Sequence, residues 1–153
     1  MLRTIQLKSI LGGLAIAATL GGCIAAAPPP RHAHSPAYLH ALSDLRAARW
    51  LIDHRPGDWA QTSDEVVAVR QIDAGIADLK QAAYNDGKNP SEHPPLDEHP
   101  DHAGRIHEAI EYLRKARADI SGEEDNGAAQ GWRNRAIGHI DAAINAARRV
   151  FHE

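Results

Sequence analysis

From residue 36 onward, apolar side chains return every three or four positions, the spacing that places them on one face of an α-helix. The first row runs Tyr38, Leu42, Leu45, Ala48 and Ile52, from a Ser35-Pro36 start to an Arg55-Pro56-Gly57 stop. A second row, Val69, Ile72, Ile76, Leu79 and Ala83, follows Thr62-Ser63-Asp64-Glu65, a capping box with acids in the first turn, and closes at Asn85-Asp86-Gly87. With no proline between Thr62 and Gly87, this helix has room for roughly 35 Å at 1.5 Å per residue. Ile106, Ala109, Ile110, Leu113, Ala116 and Ile120 make a third row that ends at Ser121-Gly122. A fourth, starting between Asp125 and Ala128, carries Ile137, Ile140, Ile144, Ala147 and Phe151. Four prolines between Gly87 and Pro100 exclude helix and central strand, so this stretch is a long connection.

The rows repeat. Leu45-Arg46-Ala47-Ala48-Arg49 and Ile72-Asp73-Ala74-Gly75-Ile76 return 68 residues later as Leu113-Arg114-Lys115-Ala116-Arg117 and Ile140-Asp141-Ala142-Ala143-Ile144, both at the same offset. The fold this predicts is all-α: an antiparallel four-helix bundle formed by two duplicated helical hairpins, 36–86 and 101–152, joined by the linker 87–100. Alignment sets Arg46 on Arg114, Arg49 on Arg117 and Asp73 on Asp141, all beside the apolar seam. The expected ion pairs are Arg46 with Asp73 and Arg114 with Asp141; the competing reading is of solvated charges at repeated surface positions. Exposed, such a pair contributes under about 1 kcal/mol, whereas breaking a buried one costs several.

Composition changes the picture mainly at the N-terminus. The chain of 153 residues, 24% charged and 43% apolar, suits one soluble domain with appendages, and a single Phe with three Trp implies a thin core of Ala, Ile and Leu. The first 22 residues differ: Arg3 and Lys8 precede an apolar run from Ile10 to Leu20, which is followed by Leu20-Gly21-Gly22-Cys23. This segment resembles the signal peptide of bacterial lipoproteins, whose lipobox ends in the Cys that receives lipid. That resemblance covers residues 1–23 and implies export, cleavage after residue 22 and lipidation of Cys23. Ordinary signal-peptidase cleavage within Ile24-Ala25-Ala26-Ala27 competes with it, while the apolar run is shorter than the roughly 20 residues a bilayer core requires. Ile24, where inner-membrane lipoproteins often carry Asp, points to the outer membrane by the same resemblance. Residues 23–35, with Pro28-Pro29-Pro30, read as a lipidated Cys and a semi-rigid tether, and 36–153 as the bundle.

Loss of Arg3 and Lys8 with the leader leaves 15 cations against 20 acids, a formal charge of about −5, which argues against nucleic acid as a partner. Ten histidines are the main candidate for chemistry. His99, His102 and His107 lie near Asp97, Glu98, Asp101, Glu108 and Glu111, donors that suit Zn, Ni or Cu. Against this, His107-Glu108-Ala109-Ile110-Glu111 places Glu where a zinc-protease helix needs its second His, and no Glu-x-x-His or Cys-x-x-Cys-His occurs. A solvated polar loop is the plainer reading. No catalytic residues are assigned, because neither a Gly-x-Ser-x-Gly turn nor a phosphate-binding Gly loop is present.

Trp59 and Trp132 fall off the seams, and in an up-down bundle both stand near one end, either plugging the core or forming a partner patch. The mature chain resembles uncharacterised helical-bundle proteins of bacterial envelopes. The sequence therefore points to a non-catalytic binding or scaffolding module, held on the periplasmic face of the outer membrane by its lipid and open to an envelope protein partner. No cofactor is implied by this reading. The alternative is a periplasmic metal-binding protein that uses the His-rich central loop.

Overall fold

The computed structural model of the chain describes residues 37–54, 60–96, 104–122 and 127–152. The leader, Cys23 and the tether lie outside the described residues, as do Trp59, His99 and His102. Four helices account for most of the rest: α1 (Ala37–Asp53), α2 (Ser63–Asn85), α3 (Arg105–Ser121) and α4 (Gly127–Arg149), followed by a 3-10 turn (Val150–His152). No strand occurs among the described residues.

The helix ends follow from local chemistry. Thr62 caps α2 in extended conformation and accepts from Glu65 N at 3.2 Å, while Glu65 Oε2 accepts from Thr62 N at 2.9 Å, the reciprocal pair of a capping box. At its other end, Gly87 takes φ 73, a left-handed conformation that costs a glycine little. That turn lets Lys88 N reach Ala83 O at 2.8 Å and Gly87 N reach Tyr84 O at 3.0 Å, satisfying carbonyls a helix end leaves open. Helix α3 starts after Gly104 (φ 94), with no side-chain cap, and stops before Gly122.

Adjacent helices all run antiparallel. Arg49 of α1 meets Asp73 of α2, Arg105 at the start of α3 meets the end of α1, Arg149 at the end of α4 meets Asp64 at the start of α2, and Arg117 meets Asp141. The order is therefore up, down, down, up. The connection from α2 to α3 must travel the length of the bundle, and its described part climbs α1. Lys88 sits over the Tyr38 ring (4.8 Å), Pro94 O accepts from Ser43 Oγ (3.0 Å), and Leu96 packs against the core. This corrects the up-down expectation: the ends of α1 and α3 lie at opposite ends of the bundle, as in bundles with one long crossover.

The core is thin, as the composition implies. Leu42, Leu45, Ala48 and Ile52 are fully buried, as are Leu113, Ala116 and Ile120, with Ile72, Leu79, Ile140 and Ala147 facing them. Val69, Ile76 and Ile137 are only half-buried at its edge. Phe151 is 57% exposed, contrary to its seam position, because α4 gives way to the 3-10 turn before reaching it and the helical period no longer aims its ring. The widest packing surfaces join α2 to α4 and α1 to α3, across hairpins rather than within them. Each hairpin thus covers more of its apolar face with the other hairpin than with itself. Gln71 and His139, which are equivalent positions of the repeat, meet each other: with Nδ1 protonated, His139 donates to Gln71 Oε1 at 2.8 Å. Contact between equivalent residues marks a pseudo-twofold axis between α2 and α4.

Candidate functional site

The two repeated ion pairs form, one helical turn away from the expected arginines. Arg49 Nε donates to Asp73 Oδ1 at 2.7 Å, and Arg117 Nε to Asp141 Oδ1 at 2.6 Å. Arg46 does not reach Asp73. Its Nη2 donates to Pro90 O at 3.1 Å and its Nη1 lies 3.0 Å from His93 Nδ1, so it fastens the climbing link to α1. Arg114 bonds to Glu111 on its own helix rather than to Asp141. The reason is register: Arg46 and Arg49 are three apart and share a helix face, and the antiparallel offset of α2 brings Asp73 level with the later one. Hydrogen bonding to Asp73, offset by some desolvation, raises the Arg49 pKa above its ordinary value, and Asp141 does the same for Arg117. All four side chains are well exposed, between 38% and 50%, so each pair contributes under about 1 kcal/mol.

A second set of charges is buried and was not anticipated. Glu65 is 0% exposed, and beyond its capping role its Oε1 accepts from Arg105 Nη2 at 2.6 Å. The same guanidinium donates through Nη1 to Leu51 O and Ile52 O, both at 2.8 Å. One Arg at the start of α3 thereby ties down the last carbonyls of α1 and the N-cap of α2. Burial lowers its pKa from the ordinary arginine value. Farther along, Asp44 on α1, 1% exposed, faces Lys115 Nζ of α3 at 3.5 Å. Both contacts join the hairpins. Sequence offered one signal for Glu65, its capping box, but that box accounts for the local partner and conceals the distant one.

The histidine and tryptophan candidates separate. His107 is exposed near the start of α3, its ring edge-on to Phe151 with centroids 6.4 Å apart. Its expected companions His99 and His102 lie outside the described residues, and among the described residues no group of three or more His, Cys, Asp or Glu is placed to hold a metal. Trp132 is half-buried against the core, with the Arg135 guanidinium 3.8 Å above its ring. It stands near the start of α4, while its expected companion Trp59 lies outside the described residues. The aromatic at the α1–α2 end is Trp50, 56% exposed and stacked on His54 (4.7 Å, 21°). Val67 and Phe151 open to solvent toward that end as well. No helix among the described residues is long and apolar enough to cross a membrane. Compared with family models, with curated proteins and with solved structures, the chain matches none of them.

Proposed function

We propose that this chain is an exported, lipid-anchored four-helix bundle that works by binding, as a scaffolding module on the periplasmic face of the outer membrane. The positive n-region, apolar run and Leu20-Gly21-Gly22-Cys23 support export and lipidation. The observation that carries the binding role is an asymmetry between the ends of the bundle. The described chain begins at the end that holds Tyr38, Ala83 and Ile120, all buried; of the large apolar side chains exposed among the described residues, Trp50, Val67 and Phe151 lie toward the other end and Tyr84 at this one. Exposed apolar side chains more numerous toward one end suit a protein partner.

Two measurements on cells test the reading. Intact mass of the protein from the membrane fraction is expected to show a chain that begins at an acylated Cys23, and Cys23→Ala is expected to release it; an unmodified N-terminus beyond Cys23 contradicts the anchor. A photo-reactive residue at position 151 is expected to cross-link to one discrete envelope protein, while the same residue at Tyr84, 71% exposed at the near end, does not. Equal labelling from both ends contradicts the far-end binding surface.

A further inference from the structure

Beside Leu96, α1 and α3 leave a crevice of about 200 Å³, lined by Ala47, Trp50, Leu51, Leu96, Glu108 and Tyr112. Most of its wall is carbon. Trp50 supplies an aromatic wall that is held in place by stacking on the His54 ring, whose Nδ1 lies 3.1 Å from Trp50 O. The two remaining side chains are polar, and Glu108 differs from the buried and repeated acids described above. Glu65 has Arg105, Asp44 has Lys115, and Asp73 and Asp141 each have an Arg. The Glu108 carboxylate, half-buried, has no ion pair or side-chain hydrogen bond with another described residue, and neither does the Tyr112 hydroxyl, although Tyr112 is 3% exposed.

Acids dominate the charges that act on Tyr112. Burial raises the Tyr112 pKa first, and the negative charges of Glu108 and Asp44 raise it further, with Lys115 opposing them. An anion entering the crevice would meet the Glu108 carboxylate; a neutral molecule would leave that carboxylate without a charged partner among the described residues. A cation would pair with the carboxylate, bond to the phenol oxygen and lie against the indole face, three contacts that reinforce one another. The crevice is open to solvent on one side, and its volume has room for a body about the size of a benzene ring.

We propose that this crevice between α1, α3 and the climbing link is a binding site for a small organic ammonium ion with an aromatic or branched-alkyl body. Glu108 takes the charge, Tyr112 accepts a hydrogen bond from the ammonium, and Trp50, Leu51, Leu96 and Ala47 line the side on which the apolar part rests. The site does not depend on the envelope reading, since it belongs to the bundle wherever the protein resides.

The test uses the purified full chain and phenethylammonium as probe, followed by nuclear magnetic resonance shifts of the Trp50 indole and the Glu108 and Tyr112 amides. For a ligand of this size, saturable binding is expected with a Kd of about 1 mM. The neutral analogue 2-phenylethanol and the anion phenylacetate are expected to bind at least about tenfold more weakly, the loss of one desolvated ionic contact. Glu108→Gln, with an unchanged circular dichroism spectrum, is expected to erase the preference for ammonium over alcohol. Equal binding of the three probes by the unaltered protein overturns the proposal. So do an unchanged ammonium preference in Glu108→Gln, shifts centred away from the crevice, and no saturable shift at concentrations about tenfold above the expected Kd.

Discussion

The two hairpins are the same object in their cores and different objects in their buried charges. Leu45 and Leu113, Ala48 and Ala116, Ile52 and Ile120, and Ile72 and Ile140 occupy equivalent positions and are all fully buried. Arg49–Asp73 and Arg117–Asp141 repeat with the same partners at nearly the same distance. The buried acids break the pattern. Glu65 is matched in the second hairpin by Arg133, and Asp44 by Tyr112. Each of these acids reaches a base on α3, so that both asymmetric contacts run between hairpins. A symmetric apolar face specifies that two hairpins associate; the unmatched polar groups specify how they align, since sliding either hairpin strands a buried carboxylate.

That division orders the expected effects. Glu65→Ala removes the acceptor from a half-buried guanidinium, an N-cap and a three-helix junction together. A loss of about 3 kcal/mol is expected in urea denaturation, at the lower end for a broken buried pair because the Arg105 side chain keeps 24% exposure. Thr62→Ala, which disturbs the cap alone, is expected to cost about 1 kcal/mol, so that a Glu65→Ala loss no larger than this would reduce the junction to a helix cap. An alkaline titration separates the hairpins in another way. The folded protein holds the Tyr112 phenol above its ordinary value. Its contribution is whole below the unfolded phenol pKa of about 10 and is lost as pH rises through the folded value. Stability is expected to fall across that window, and Tyr112→Phe is expected to flatten the fall.

Smaller effects test the symmetric parts. Gly75 occupies the position that Ala143 fills in the second hairpin. A Cβ there would lie 3.6 Å from His139 Cβ and 3.8 Å from Ala136 O, ordinary contact distances. Gly75→Ala is thus expected to raise stability by about 0.5–1 kcal/mol through helix propensity. A loss instead would mean that α2 and α4 approach more closely than these distances imply. Smallest of all, Asp73→Asn is expected to lower stability by less than about 1 kcal/mol, and Asp141→Asn by a similar amount. A clear difference between the two would show that the repeat is not energetically symmetric.

Much of the fold was legible in the residues, and its limits were physical. The three-and-four rows located every helix because burial of one face requires that period, and Thr62, Gly87 and Gly122 marked ends through backbone chemistry that acts within a few residues. The period says which face is apolar, not which helix that face meets. The residues after α2 are numerous enough either to turn back or to climb the bundle, and only packing decides between them. Arg46 and Arg49 were indistinguishable for a similar reason: both project beside the seam, and a shift of one turn exchanges their partners. Arg105 gave no signal, since its role depends on α1 carbonyls more than fifty residues away. The crevice is in the same position, assembled from Trp50 on α1, Leu96 on the link and Glu108 and Tyr112 on α3. Of the His trio, only His107 falls within the described residues, near the Phe151 ring.

The hairpins are two halves of one cooperative unit, because their largest apolar surfaces face each other. Far-ultraviolet circular dichroism of residues 36–86 and 101–153 prepared separately, then mixed in equal amounts, tests it most directly. Each half alone is expected to lose most of its helix signal, and the mixture to recover it with a midpoint that rises with concentration. A hairpin that is fully helical and melts cooperatively alone, or a mixture spectrum equal to the sum of its parts, would contradict the account.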